Sequence, residues 1–315
     1  MEYCSFVTDR TPHVLWDFDI RQRNIEYLDS LEGGFFWHYV EAHQPLLSGE
    51  NRHFAALVIR SAYSHALEAF FALLGSFVQA PQCAVGWMLT YTNEELRSLV
   101  RKISDGQPVL ARLTTRPVTW NTIAHAVHCT PTGDAQMDSE VPEGFAQAWE
   151  CLARDFLDPA RDREYNNFKH GLRVGQGGFN ISIGIPTSPE IPVPQEDMID
   201  VGGSEYGSTF FEQERLGDRV NFHLKKTWLN WNPENHIAGL SLLSTSMANI
   251  LSALKAVNGV DRGKCPIRYP KNPSIFREPW SHHLGGVTFD SHLELRREHI
   301  TPLTREDVLG SYQEY

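Results

Sequence analysis

The chain has 315 residues, of which 41% are hydrophobic and 21% are charged, and its formal net charge is -11 at pH 7. This composition is typical of a globular protein and excludes a chain that is disordered throughout. The acidic balance argues against a protein that coats nucleic acid through a global basic field, but it leaves room for a local basic site.

The sequence predicts a protein of the cytoplasm that does not enter a membrane. No uninterrupted apolar run reaches the ~18 residues that a membrane span requires. The closest, residues 54–78, is interrupted by Arg60, His65 and Glu68. The five cysteines are scattered without a close pair, which is typical of a reducing compartment. The first residues lack the basic and apolar stretches of a secretory signal.

Six helices are predicted before residue 171. In the strongest, apolar residues occupy most of the circumference and indicate a buried central helix. Thr92 and Glu95 have the spacing of a capping box at a helix start. Asp158, Pro159 and Gly171 are typical of a helix cap, a first turn and a helix stop. The predicted ranges are 30–47, 51–79, 92–104, 118–129, 143–157 and 159–170, with a polar loop at 133–142.

The hydrophobic period changes to two after residue 178. Apolar residues alternate with polar ones over 179–185, which predicts a half-buried strand. After an acidic, proline-rich loop at 186–205, two strand-like runs flank Gly217-Asp218, a dipeptide typical of a β-hairpin turn. A last long helix is predicted over 234–257.

These elements predict a mainly α fold, a helical bundle with an antiparallel β-hairpin insertion at about 178–231, before the last long helix. In terms of domains, residues 1–257 are expected to form the bundle with its insertion. Residues 258–315 are expected to form an irregular, proline-rich extension that packs on the bundle.

The helix at 159–170 carries the side chains best suited to chemistry. At 100° per residue, Asn166, Asn167 and His170 fall within about 60° of Arg163 around the helix axis. A cation, two amides and an imidazole therefore share one stripe. Two consecutive asparagines cost a helix roughly half a kcal/mol each, so their presence favours a functional stripe over simple helix formation.

An arginine followed within four to six residues by a histidine, on a late helix of a small bundle, resembles the motif of the HEPN superfamily. Here six residues separate Arg163 from His170. The preceding helix with the pattern AYSHALEAFFALL and the following apolar helix agree with it, and the resemblance covers about residues 50–257. It implies an endoribonuclease that uses no metal or other cofactor, in a toxin or antiviral-defence role.

The resemblance also implies roles for the four residues. His170 would be the acid/base, since histidine exchanges a proton near neutral pH. Arg163 would stabilise charge on the phosphate, and Asn166 or Asn167 would orient the substrate. The substrate would be single-stranded RNA, whose 2′-hydroxyl is an internal nucleophile. One arginine and one histidine per chain imply a homodimer that completes the site.

A second polar stripe lies on the central predicted helix. Ser61, His65 and Glu68 recur at helical spacing on its otherwise apolar surface. Buried polar groups need partners. We therefore predict that this stripe is a second shell behind the Arg163 and His170 face, with a hydrogen-bonded core histidine as the structural alternative.

The most basic stretch, residues 262–283, interleaves cations with aromatic residues. This combination suits single-stranded nucleic acid, because bases stack on aromatic rings and phosphates bind cations. The alternative is a proline-rich segment that its aromatic residues fix to the bundle. The predicted nucleic-acid contacts are Arg268, Tyr269, Lys271, Arg277 and Trp280.

Several alternatives to catalysis stay open. Glu164 follows Arg163, where active family members usually carry Asn, Asp or His, so the chain could be a non-catalytic HEPN-like interaction or dimerisation module. Arg163 could pair with a carboxylate, and His170 could interact with the helix dipole. The 14 histidines leave a metal-dependent helical enzyme as a third function, with Glu-x-x-His at 50–53 and His-x-x-His at 125–128.

Overall fold

A computed structural model shows a mainly helical protein with two small antiparallel sheets. The structure describes residues 1–113, 117–129, 135–185, 193–217, 219–270, 272–281, 288–291 and 300–312. The chain divides into two compact units. The first comprises Met1–Asp162 and Pro233–His282, and the second comprises Arg163–Asn232 and His283–Tyr315.

The first unit contains a two-stranded sheet and most of the helices. Its strands are β1 (Glu2–Thr8) and β2 (Thr11–Asp17). Its helices are α1 (Ile20–Ser30), α2 (Trp37–His43), α3 (Arg52–Gln79), α4 (Ala84–Thr90), α5 (Asn93–Ser104), α6 (Trp120–Val127), α7 (Ala135–Leu157), α9 (Pro233–Val257) and α10 (Glu278–Ser281). Helix α8 (Pro159–Lys169) crosses the boundary between the units.

The core of the first unit forms around α3 and α9, which pack against each other. Phe70, Phe71 and Trp149 lie fully buried between these helices and α7. Both α3 and α9 are long and apolar enough to cross a membrane by length and composition. Their most apolar windows are 67% and 61% buried within the protein, as in the core helices of soluble proteins.

The sheet β1–β2 was not predicted from the sequence. Its strands pair from Glu2 with Asp17 to Thr8 with Thr11, and Asp9 adopts a positive φ of 51° in the turn. Phe6 is buried against the core and stacks on His13. The strands escaped prediction because their outward positions are also apolar, so the alternation of polar and apolar residues is weak.

Helix boundaries agree with the sequence where caps are strong and differ elsewhere. Thr92 and Glu95 form the predicted capping box of α5. The predicted helix at 30–47 is wrong in extent, because α2 covers Trp37–His43 and a 3-10 turn follows at Gln44–Ser48. The predicted loop at 133–142 is wrong from Ala135 onward, where α7 has begun, with Pro142 inside the helix. Residues 133–134 lie outside the described part.

The second unit contains a four-stranded antiparallel sheet in the order β3-β4-β5-β6. The strands are β3 (Val174–Ile183), β4 (Ile199–Arg215), β5 (Phe222–Asn230) and β6 (Thr288–Ser291). A short helix, α11 (Arg305–Gly310), follows near the C-terminus. Residues 216–221 join β4 to β5, so the connection is longer than the predicted two-residue turn. Asp218 itself is outside the described residues.

The two units differ from the predicted domains. The second unit begins at Arg163 rather than at about 178, and residues 258–315 are divided between the units at His282. β4 begins at Ile199, inside the predicted loop at 186–205. The β4 residues 202, 203 and 207 are glycines. A Cβ on Gly207 would lie 2.5 Å from the carbonyl oxygen of Leu229, so the neighbouring strand requires a glycine there.

Candidate functional site

Helix α8 begins at the predicted Pro159 and ends at Lys169, one residue before the predicted end. The Asp158 carboxylate accepts a hydrogen bond from the backbone N–H of Ala160 at 2.8 Å, which caps the first turn. Gly171 ends the helix with a φ of +76°, a left-handed conformation that favours glycine. The cap at Asp158 and the glycine at 171 therefore define both ends of α8, and His170 lies directly before that glycine.

Arg163 is held at one edge of its guanidinium group. Its Nε donates to Oε1 of Glu212 on β4 at 3.0 Å, and the same oxygen accepts from the hydroxyl of Thr227 on β5 at 3.0 Å. The Arg163 side chain is 41% exposed and that of Glu212 is 18% exposed. Among the described residues, no acceptor binds its two terminal nitrogens. Glu212 is thus the carboxylate partner of Arg163 that the non-catalytic alternative predicts.

The other three predicted catalytic residues differ in their surroundings. The side-chain amide of Asn167 donates to the backbone carbonyl of Arg163 at 2.9 Å, so it is engaged within its own helix. Asn166 on α8 and His170, which directly follows the helix, are both exposed. In the described part of the chain, the structure joins Arg163 to Asn167 but shows no hydrogen bond from the His170 ring to either of them.

Glu164 is a buried carboxylate whose surroundings the sequence analysis did not predict. It is fully buried, and its Oε1 accepts hydrogen bonds from the hydroxyl of Ser208 and from Nε1 of Trp231, the latter at 3.2 Å. The sequence feature that could have predicted its burial is its angular position on the helix. Glu164 lies 100° from Arg163 and therefore beside the apolar side of α8, where Tyr165 is buried. Its hydrogen bonds fix α8 to the sheet of the second unit.

The predicted second shell lies on α3, in the first unit. His65 is exposed, so the alternative of a histidine buried in the core is wrong. The pKa of Tyr91 is raised to about 12, mainly by burial and then by the negative charge of Glu68. A relation of Ser61, His65 and Glu68 to the α8 residues stays a prediction.

The segment 262–281 uses its aromatic residues for packing. Tyr269 and Trp280 are half-buried against the core of the first unit. Trp280 donates from Nε1 to Oδ2 of Asp155 at 3.3 Å. Arg268 and Arg277 are exposed, and Lys271 lies outside the described residues. Of the two interpretations of this segment, its described aromatic residues therefore support the structural one.

The backbone of this segment is fixed by Asn249 of α9. The Asn249 side chain accepts from the N–H of Arg268 at 2.7 Å and donates to its carbonyl oxygen at 2.9 Å. The same amide donates to Nε2 of His128 at 3.1 Å, while Nδ1 of His128 donates to the carbonyl oxygen of Ala124 at 2.8 Å. Both ring nitrogens of His128 are therefore engaged. Burial, the largest influence, lowers the pKa of His128 to about 4.

A second polar cluster in the first unit was also missed by sequence reasoning. Asp155 accepts from the hydroxyl of Tyr63 at 2.7 Å and pairs with Arg161 at 2.8 Å. Arg60 is buried in α3 and bonds to Nε2 of His236 at 2.7 Å. Burial, then the nearby arginines, hold the pKa of His236 well below its usual value. These residues are far apart in the sequence, so no local motif predicts that they form a cluster.

The described residues contain no group of three His, Cys, Asp or Glu side chains placed to hold a metal ion. In the His-x-x-His pair at 125–128, His125 is exposed whereas His128 is buried and engaged. Comparison of the chain with family models, with curated proteins and with solved structures finds no match.

Proposed function

We propose that this protein is a metal-independent endoribonuclease of the HEPN type, with His170 as acid/base and Arg163 as the phosphate-binding group. The observation that carries the proposal is the state of Arg163. Glu212 holds it by Nε alone, and the two terminal nitrogens remain available on a side chain that is 41% exposed. His170 is exposed and directly follows the same helix.

The chemistry follows from these two groups and from RNA itself. The ribose 2′-hydroxyl attacks the adjacent phosphorus while the neutral imidazole of His170 accepts its proton. The terminal nitrogens of Arg163 donate to the phosphate oxygens as charge develops on them. The bond to the 5′-oxygen breaks, and that oxygen takes a proton from a second histidine ring that is in its protonated, imidazolium form. The products are a 2′,3′-cyclic phosphate and a 5′-hydroxyl.

The second imidazole requires a second copy of the chain. Each chain has a single His170, which directly follows α8, so the proposal includes a homodimer in which the α8 ends of two copies share the site. We further propose that the fold is a helical bundle with a β-hairpin insertion and that the protein is located in the cytoplasm. Light scattering at micromolar concentration tests the dimer, and a strictly monomeric protein would contradict the shared site.

A non-catalytic interaction module is the second candidate, and the Arg163–Glu212 pair favours it. A carboxylate at 3.0 Å offsets the positive charge that a phosphate would need. In that case Arg163 anchors α8 to β4 and has no role in catalysis. The two candidates differ in what Arg163→Ala changes, since the first expects lost rate and the second expects lost stability.

The test is a time course on a labelled 12-nucleotide RNA in EDTA, with the matching DNA alongside. We expect cleavage of the RNA alone. His170→Ala should lower the rate on the order of 10²–10⁴-fold, and Arg163→Ala on the order of 10²–10³-fold. His125→Ala is the control, because His125 is also an exposed helical histidine. Intact RNA, or a rate that both site variants leave unchanged, would contradict the proposal.

A further inference from the structure

The two faces of the β4–β5 sheet are chemically different. Residues at alternate strand positions point to opposite faces. One face carries Ser208, Phe210, Glu212 and Thr227, which are buried or engaged with Glu164 and Arg163 of α8. The other face, which we call the outer face, carries Thr209, Phe211, Gln213, Arg215, Phe222, Leu224, Lys226 and Trp228.

The outer face presents aromatic rings to solvent. Phe211 is 55% exposed and Phe222 is 48% exposed. Trp228 is half-buried and lies diagonally across the strands from Phe211, whereas Phe222 lies at the opposite end of β5. Phe211 pairs across the strands with Lys226, and Phe222 pairs with Arg215. Each exposed phenyl ring therefore has a cation directly opposite it.

The charge of this face is uniformly positive. None of its eight positions holds a carboxylate, although the chain has a net charge of -11. The ammonium group of Lys226 lies 4.8 Å from the ring centroid of Trp228 and 5.7 Å from that of Phe211. Within the described residues, no carboxylate forms an ion pair with Lys226 or Arg215. Both cations therefore remain available to an anionic partner.

We propose that the outer face binds single-stranded nucleic acid. Two or three bases would stack on Phe211, Trp228 and Phe222, as bases do on the aromatic residues of other sheet surfaces. Lys226 and Arg215 would bind the phosphates between them. This set of groups matches a chain of alternating flat rings and negative charges.

Charge complementarity favours this occupant over another protein surface. The cores of protein–protein interfaces are depleted in charged residues, lysine included, whereas the outer face has Lys226 between its rings. The inference goes beyond the proposed cleavage, because binding here needs neither Arg163 nor His170. RNA and DNA share the chemistry that this face would recognise, so the experiment uses both.

The experiment measures binding by fluorescence anisotropy with two labelled probes that cannot be cleaved through a 2′-hydroxyl. They are a 12-mer of 2′-O-methyluridine and a 12-mer of thymidine, at ~50 mM salt. Phe211→Thr, which retains strand propensity, should weaken binding of both probes roughly 5- to 100-fold. Lys226→Gln should lower the slope of log K against log salt by about 0.7.

Two controls separate this site from a general surface effect. Trp16→Thr removes another exposed aromatic ring from a strand, and Lys264→Gln removes another exposed lysine. Neither should change the affinity by more than about twofold, and melting curves should show all variants folded. Preference for the first probe would identify RNA as the ligand, and equal affinity would identify any single strand.

Three outcomes would overturn the inference. The first is no binding of either probe at ~100 µM protein. The second is an affinity that Phe211→Thr leaves unchanged. The third is a dimer that Phe211→Thr converts to monomer without any effect on the probes, which would identify a second copy as the occupant. None of these three outcomes depends on RNA cleavage, so this inference and the proposed function are tested separately.

Discussion

Two regions of this protein combine cations with aromatic residues, and the structure uses them in opposite ways. In the segment 262–281 the rings turn inward, and Phe276 is only 7% exposed. On the outer face of the β4–β5 sheet, Phe211 and Phe222 are about half exposed, with cations opposite them. Both regions have the composition that suits nucleic acid, although only residues 262–283 were predicted to bind it. Whether such a region can bind a ligand depends on whether its rings face the core or the solvent.

The largest expected effect concerns the stability role of the 262–281 segment. Phe276 packs edge-on against Phe145 at 4.9 Å and closely against Gly144. Phe276→Ala should lower the free energy of unfolding by about 3–5 kcal/mol, because it leaves a cavity in the core. Guanidinium denaturation measures this. Phe211→Thr, at an exposed position, should change it by less than about 1 kcal/mol.

Equal losses of stability from Phe276→Ala and Phe211→Thr would contradict the difference between the two regions. The outer-face phenylalanine would then be a packing residue like Phe276, and its exposure would carry no functional meaning. A small loss from Phe276→Ala alone would instead show that the segment is dispensable for folding.

The second prediction concerns pH and the contact that holds this segment. His128 has a folded-state pKa of about 4, below its ordinary value of 6.5, so the unfolded chain binds the proton more readily. The contribution of neutral His128 to the free energy of unfolding is therefore fully present above pH 6.5. It decreases by about 3 kcal/mol as the pH falls from 6.5 to 4. Protonation at Nε2 would also remove the acceptor that Asn249 uses.

Urea denaturation at several pH values checks this prediction. His236 contributes a loss of the same sign, so the informative quantity is the difference between wild type and His128→Gln. The variant should be less stable at pH 7 and should lose less stability on acidification. Parallel curves for the two proteins would contradict the assignment to His128.

The third prediction concerns Asn249 directly. Asn249→Ala removes the donor and the acceptor that fix the backbone of Arg268, and it should cost about 1–3 kcal/mol of stability. Ser252→Ala removes a single, more exposed bond to the carbonyl oxygen of Pro266 and should cost less, about 0.5–1 kcal/mol. A reversed order would show that the segment is held elsewhere.

The smallest expected effect separates the exposed arginines of the two regions. Arg215→Gln should lower the salt slope of oligonucleotide binding by about 0.7, the value for one phosphate contact on a single strand. Arg268→Gln should leave the slope unchanged, because its neighbours Tyr269 and Trp280 are packed and offer no stacking surface. Anisotropy titrations at four salt concentrations distinguish the two. A slope that changes only with Arg268→Gln would show that residues 262–281, and not the outer face, contact the phosphates.

Local signals in the sequence predicted the parts of the fold that local chemistry determines. The capping box of Thr92 and Glu95 marks the start of α5, and Asp158 with Gly171 marks the limits of α8. The apolar circumference of 51–79 predicted the buried helix α3. By contrast, β4 was shortened in the prediction because its glycines resemble a loop, although neighbouring strands leave no room for a Cβ at Gly203 and Gly207.

The candidate site was predictable only in part. The stripe on α8 follows from helical spacing, and the exposure of Asn166 and His170 agrees with it. The partner of Arg163 is Glu212, 49 residues further along the chain, and no local pattern specifies that pair. The outer face escaped prediction because β5 mixes lysines and rings at a period of two, which was interpreted only as a hairpin strand.

Photocrosslinking can decide whether the rings on the outer face of the sheet, or the packed rings of residues 262–281, contact single-stranded nucleic acid. The probe is a 12-mer that carries 4-thiothymidine, and crosslinked peptides are mapped by mass spectrometry. Crosslinks are expected within β4 and β5, at Phe211, Phe222 or Trp228, and they should be lost in Phe211→Thr. Crosslinks concentrated at Tyr269 or Trp280, with β4 and β5 unlabelled, would contradict this expectation.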